Sequence, residues 1–230
     1  MSKVQLRKPF FVVNPKSYMF GRELIDLAKH TDMLAEKYDF DVLFTAPYTD
    51  LKDVASETTR LIVTAQHMDG IALGKGMGAV LPLSLSNVGV KATFLNHAEH
   101  PMTVNELAKA IRYANDLDII TIVCADSVEE AKAIAKFRPD VMVCEPNSLI
   151  GTGQVSDDHY MISTNKAVKS VSPETLVLQA AGISSGKNVY DAIIVGADGT
   201  GGTSGIVAAK DPKQILNEMF DALYQARKEM

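Results

Sequence analysis

Val141-Met142-Val143-Cys144-Glu145-Pro146-Asn147-Ser148-Leu149-Ile150-Gly151-Thr152-Gly153 is the stretch around which the rest of the chain is organised. Its first four residues are a short apolar run bounded by polar sequence, which reads as a buried strand. Glu145 stands at the exit of that strand. Pro146 follows at once, stiffens the exit and biases Glu145 towards extended backbone. Two apolar residues and a Gly-Thr-Gly then close a short flap whose glycine N–H groups can approach an anion. The reading is a base on a rigid strand tip, followed by a hinged flap. Taken alone, the same residues also describe a surface loop with an exposed carboxylate, and the remainder of the chain decides between the two.

Working outward, the strand-then-helix unit repeats. Apolar, β-branched runs predict strands over 9–13, 41–45, 61–65, 92–96, 119–123, 141–144 and 175–179, and the β–α alternation places an eighth near 198–204. Helical spacing of apolar residues predicts helices over 22–37, 49–57, 103–116, 127–137, 158–170, 187–195 and 212–227. Thr103-Val104-Asn105-Glu106 and Ser127-Val128-Glu129-Glu130 have the spacing of capping boxes and open two of these helices. Residues 66–82 read as a long glycine-bearing loop. The strands are continuous apolar runs rather than alternating ones, as expected of parallel strands covered on both faces. Eight β–α units within 230 residues specify an α/β fold, a single-domain (β/α)8 barrel over 1–230. An open doubly wound sheet would place a glycine-rich phosphate loop straight after strand 1, whereas this chain has Asn14-Pro15-Lys16 there.

Composition narrows the function classes. A hydrophobic content of 47% is ample for a core. A net charge of −5 argues against a general nucleic-acid or membrane binder. No apolar run approaches membrane-span length, and residues 1–8 lack the apolar centre of a signal peptide. The two cysteines, Cys124 and Cys144, each end an apolar run and read as buried thiols rather than a disulfide or a metal pair. The expected compartment is the cytoplasm.

In a (β/α)8 barrel the C-terminal strand ends converge on one mouth. Those ends supply Asn14, Lys16, Gln66, Asn96, His97, Glu99 and Glu145. Three glycine-bearing loops join them, at 151–153, at 182–185 and at 199–205, and late-strand glycine loops are where such barrels commonly hold phosphate. One Lys, one His, one Glu and a phosphate cradle suggest a definite chemistry. Glu145 takes a proton from a carbon beside a carbonyl, His97 polarises the oxygens or shuttles the proton on them, and Lys16 stabilises the enediolate and phosphate charge. That is isomerisation of a phosphorylated aldose and ketose, and it calls for no metal and no cofactor.

These residues resemble the triosephosphate isomerase family, and its short archaeal-type branch most closely. The matching motifs are Val13-Asn14-Pro15-Lys16-Ser17-Tyr18, Ala65-Gln66-His67, Leu95-Asn96-His97-Ala98-Glu99, Glu145-Pro146 through Ile150-Gly151-Thr152-Gly153, Ala181-Gly182-Ile183-Ser184 and Ala208-Ala209-Lys210-Asp211-Pro212. The resemblance spans nearly the whole chain, and its motifs fall in the right order on the right strands. It implies the TIM-barrel architecture and interconversion of dihydroxyacetone phosphate and glyceraldehyde 3-phosphate. That family is itself a worked example of a glutamate base, a neutral histidine electrophile and water-excluding loop closure, and the resemblance carries those roles onto Glu145, His97 and the 146–153 flap. It also implies that Asn14 and Lys16 contact substrate, that Glu99 partners the lysine, and that Gly151, Gly182, Ser184, Ser204 and Gly205 contact the phosphate. The family forms dimers and its archaeal branch tetramers, so a homodimer or homotetramer through the loop after strand 3 is implied.

Some positions depart from the family pattern. Ala98-Glu99-His100 stands where Ser-Glu-Arg is common, and Gly199-Thr200-Gly201-Gly202-Thr203 stands where strand 8 is usually aliphatic. Glycines inside a strand cost about 1 kcal/mol each and would widen the pocket beside the phosphate. Met77, in Gly74-Lys75-Gly76-Met77-Gly78, replaces a threonine tip on the loop after strand 3. Two further readings stay open on the sequence. One is a paralogous isomerase of another short sugar phosphate, such as a tetrulose phosphate; the other is a non-catalytic phosphometabolite-binding barrel.

Overall fold

Strands that are apolar on both faces need cover on both, and the chain supplies it by closing the sheet on itself and wrapping it in helices. The computed structural model describes residues 3–149 and 156–230. Eight parallel strands close in sequence order: β1 (Phe10–Val13), β2 (Val42–Ala46), β3 (Leu61–Ala65), β4 (Ala92–Leu95), β5 (Ile120–Ala125), β6 (Val141–Cys144), β7 (Leu176–Gln179) and β8 (Gly199–Gly202). The helices between and after them are α1 (Gly21–Tyr38), α2 (Leu51–Glu57), α3 (Pro82–Asn87), α4 (Val104–Asp116), α5 (Val128–Ala135), α6 (Asp158–Val171), α7 (Gly186–Ile194), α8 (Ser204–Val207) and α9 (Pro212–Glu229). This is the (β/α)8 barrel expected from the sequence. The Gly151-Thr152-Gly153 end of the expected flap lies outside the described residues.

The period of two along each strand splits the core into two layers. Phe10, Val12, Leu43, Phe94, Ile122, Val143 and Leu178 fill the barrel interior. Their neighbours Phe11, Val13, Phe44, Leu95, Val123 and Met142 face the helices. Closure depends on the glycines of β8. That strand pairs with β1 from Phe10↔Gly199 to Val13↔Gly202. A Cβ on Gly199 would sit 2.5 Å from the Phe10 ring, and one on Gly201 would sit 2.1 Å from the Val12 carbonyl oxygen. The room these glycines leave is therefore occupied by β1 rather than added to the pocket, so at Gly201 the expected widening does not occur.

Three local expectations are revised. Helix α3 falls where no helix was expected, because Pro82–Asn87 is under two turns long and carries two serines and an asparagine. Strand 8 stops at Gly202 rather than 204, and Ser204 and Gly205 open α8. At α5 only half a capping box forms. The Ser127 hydroxyl accepts from the Glu130 N–H, but the Glu130 carboxylate reaches elsewhere. The box at Thr103 and Glu106 is complete.

Candidate active site

The mouth is assembled from the C-terminal ends of the strands, starting with Lys16 beyond β1. Lys16 has left-handed backbone (φ 47°) and is held there by side chains on both of its peptide groups. Its N–H donates to Asn14 Oδ1 (3.0 Å), its carbonyl accepts from Gln66 Nε2 (2.8 Å), and Thr45 Oγ1 donates to the same Asn14 oxygen (2.5 Å). The result aims the ammonium across the mouth, where Nζ lies 2.8 Å from Glu99 Oε1. That hydrogen bond holds the Glu99 carboxyl below the usual glutamate range.

His97 follows Asn96, a second left-handed residue (φ 56°). Asn96 is pinned by the Met102 N–H on its oxygen (3.0 Å), and its amide donates to the Cys124 carbonyl (3.1 Å). The turn brings the Glu99 N–H to 3.1 Å from His97 Nδ1. An Nδ1 that accepts a hydrogen bond carries no proton, so the neutral ring presents Nε2–H. Burial, reinforced by the Lys16 charge, lowers the pKa of His97 below the ordinary histidine value. The imidazole is neutral at pH 7.

Glu145 hangs from β6, its N–H donating to the Ala125 carbonyl (3.1 Å). Burial raises the pKa of its carboxyl above the ordinary glutamate value, against the opposing pull of Lys16. Raised basicity on a carboxylate kept from water is what a carbon acid requires of its base.

A cavity of about 180 Å³ joins these groups, and Asn14, Lys16, His97, Glu99, Glu145, Gly182 and Ser204 all line it. Ser184 and Gly205 are not among the residues that line it. The Ser184 N–H and hydroxyl face Asn188 Oδ1 at 3.2 and 3.4 Å. Gly205 is packed so closely on the 182–184 loop that a Cβ would meet the Ile183 carbonyl oxygen at 2.3 Å. Gly151 lies outside the described residues. The structure adds Val12, Tyr18, Phe94, Cys124, Val143, Leu178, Gly202 and Thr203. Several of these were readable by parity: Val12 is two before Asn14, Val143 two before Glu145, and Leu178 four before Gly182. Tyr18 falls within the Val13–Tyr18 motif and Thr203 within the 199–205 loop, although neither stands among the expected site residues.

A second cavity, of about 230 Å³, opens on the far side of Lys16 and Glu99 and is lined by Tyr48, Gln66, His67 and His100 among others. His67 is buried, its ring 3.9 Å from that of His100, and its Nε2 lies 3.4 Å from Asp69 Oδ1. Cys144 faces the helices, with burial pushing its thiol up to about 12, so it is a packing residue and no thiolate. Among the described residues no three His, Cys, Asp or Glu side chains are grouped to hold a metal ion, and no helix is long and apolar enough to cross a membrane.

A family model described as triosephosphate isomerase matches residues 9–219. The chain belongs to the triosephosphate isomerase family. It is 35% identical over 218 residues to the triosephosphate isomerase of Methanothermus fervidus, covering 93% of this chain and 98% of that protein. That of Methanobacterium bryantii is 33% identical over 220 residues, covering 94% and 97%. That of Metallosphaera sedula is 32% identical over 228 residues, covering 97% and 100%. All three are archaeal, as the motif pattern implied. Within the triosephosphate isomerase family frame, the departures at Ala98, His100 and Gly201 leave Lys16, His97 and Glu145 on one cavity.

Proposed function

We propose that the chain interconverts dihydroxyacetone phosphate and D-glyceraldehyde 3-phosphate by proton transfer through an enediolate. The observation that carries this reading is one cavity holding a cation, a neutral imidazole and a carboxylate of raised basicity. The Glu145 carboxylate removes the proton from the carbon beside the carbonyl. The electron pair left behind delocalises onto the carbonyl oxygen, which His97 Nε2–H and the Lys16 ammonium stabilise. His97 passes the hydroxyl proton from one oxygen to the other, Glu145 returns the carbon proton to the neighbouring carbon, and protons, charge and electrons balance. Asn14 holds Lys16 in place. The phosphate rests against Gly182, Gly202 and Ser204, with Gly151, Ser184 and Gly205 completing the cradle on family resemblance.

The test is turnover of glyceraldehyde 3-phosphate in D2O, read through a coupled assay and by NMR of the product. Rapid conversion with one carbon-bound deuterium gained is expected, since a carboxylate base exchanges its proton with solvent. Failure to convert the triose, with a tetrulose phosphate converted instead, would move the assignment to another short sugar phosphate.

The assembly belongs to the same reading. A homodimer or homotetramer is favoured by Met77, which is fully exposed at the tip of the 66–82 loop, and by Leu73, which is 73% exposed on the same loop. The cavity beside His67 and His100 is a ready receptor for such a tip from a second copy. Light scattering at micromolar concentration is expected to give a mass of at least two chains, and a stable monomer would sink the reading. Two buried thiols and no disulfide fit a cytoplasmic compartment.

A further inference from the structure

The half-formed capping box at α5 raises the question of what Glu130 does instead. In a complete box its carboxylate would accept from the Ser127 N–H. Here Oε2 accepts from the Asp126 N–H (2.7 Å), one residue further out, and Oε1 accepts from the Asn96 side-chain amide (3.3 Å). One half-buried carboxylate therefore ties the loop after β5 to the loop after β4.

The loop after β4 carries His97, and the end of β5 holds the backbone of Glu145 at the tip of β6. Asn96 precedes His97, and its left-handed turn sets the direction in which the imidazole leaves β4. Its amide also donates to the Cys124 carbonyl, so Asn96 is anchored to the end of β5 twice, once directly and once through Glu130. One residue on from Cys124, the Ala125 carbonyl accepts the Glu145 N–H, which suspends the base from the same strand end. The Asp126 carbonyl accepts from the Tyr160 hydroxyl (3.1 Å), which extends the tie to α6. Asn96, His97, Cys124, Glu130 and Glu145 also share the wall of one side cavity of about 220 Å³ behind the catalytic pocket.

We propose that Glu130 is a positioning residue for the proton transfer, fixing the separation between His97 and Glu145 by clamping the β4 and β5 loops together. This rests on the proton-transfer reading of the site given above. Proton transfer to carbon is steeply sensitive to geometry, and a misplacement near 1 Å costs roughly a hundredfold in rate. The phosphate contacts at Gly182, Gly202 and Ser204 lie on the β7 and β8 loops, away from the clamp.

The experiment compares the native chain with Glu130→Ala and Glu130→Gln, measuring kcat, KM, the dissociation constant for inorganic phosphate and the melting temperature. The amide of Glu130→Gln keeps an acceptor for the Asp126 N–H but turns a donor towards Asn96. The expected order of kcat is native, then Gln about fivefold lower, then Ala at least about tenfold lower, with KM and phosphate affinity within about twofold. A pure capping role would lower the melting temperature and leave kcat alone. A kcat within twofold of native in folded Glu130→Ala overturns the proposal, as does a parallel loss of phosphate affinity. Should Glu130→Ala fail to fold, Glu130→Gln decides on the same criterion. Should the native chain itself turn over no triose phosphate, the functional reading fails separately. Glu130 is then judged on the His97 imidazole spectrum, where an Nε2–H signature unchanged between native and variant overturns it.

Discussion

The two ends of the barrel carry similar side chains and put them to different use. At the N-terminal end, Asp198 is buried and takes Lys8 at 2.5 Å, Lys169 at 2.7 Å and the Val177 N–H at 2.9 Å. Burial works against that carboxylate, but its hydrogen bonds together prevail and its pKa is lowered. At the C-terminal end, Glu145 and His97 are both shifted towards their neutral forms, chiefly by burial. A charge satisfied from every side is a structural tie, whereas a shielded titratable group facing a cavity is held ready to react. The contrast separates stabilising from catalytic ionisable groups without reference to relatives.

The sharpest way to break the contrast is Glu145→Gln. Loss of the base is expected to lower kcat about 10³-fold with little change in KM, measured by coupled turnover. In the native chain, kcat/KM should fall as pH drops through the raised pKa of Glu145, above the value of about 4.3 for a free glutamate. An acid limb at or below that value would contradict the shielding. Next in size, His97→Gln is expected to cost about 10²-fold in kcat, since an amide is a weaker electrophile than the positioned imidazole. A loss confined to KM would reassign His97 to binding.

The bottom of the barrel should answer in stability instead. Asp198→Ala strands two lysines, both partly exposed, so the cost is expected near 2 kcal/mol rather than that of a fully buried pair. Urea unfolding should show it, with kcat unchanged. Because the folded pKa of Asp198 is lowered, its contribution is present above the unfolded value of about 3.9 and is lost as pH falls through the folded one. The smallest effect has the opposite sign. The folded pKa of Glu145 is raised, so its contribution is complete below the unfolded value and lost as pH rises through the folded one. Glu145→Gln should therefore be more stable than the native chain at neutral pH, with the gain vanishing near pH 4. No gain in thermal unfolding at pH 7 would mean that the carboxylate is not strained by its surroundings.

What could be read from the residues alone was whatever depends on local pattern. Seven apolar runs with helical segments between them, and a glycine-rich eighth placed by the alternation, specify parallel strands, and strand order in a closed barrel then brings Asn14, Lys16, His97 and Glu145 to one mouth. The tertiary structure decided what depends on distance between segments remote in sequence. Propensity gave no reason for glycines in β8, because the reason is the approach of β1. Spacing made Glu130 a helix cap, because the Asn96 amide 34 residues away is invisible to local pattern. The same holds for the tautomer of His97 and the raised basicity of Glu145, since hydrogen bonding and desolvation are properties of surroundings that only the folded chain assembles.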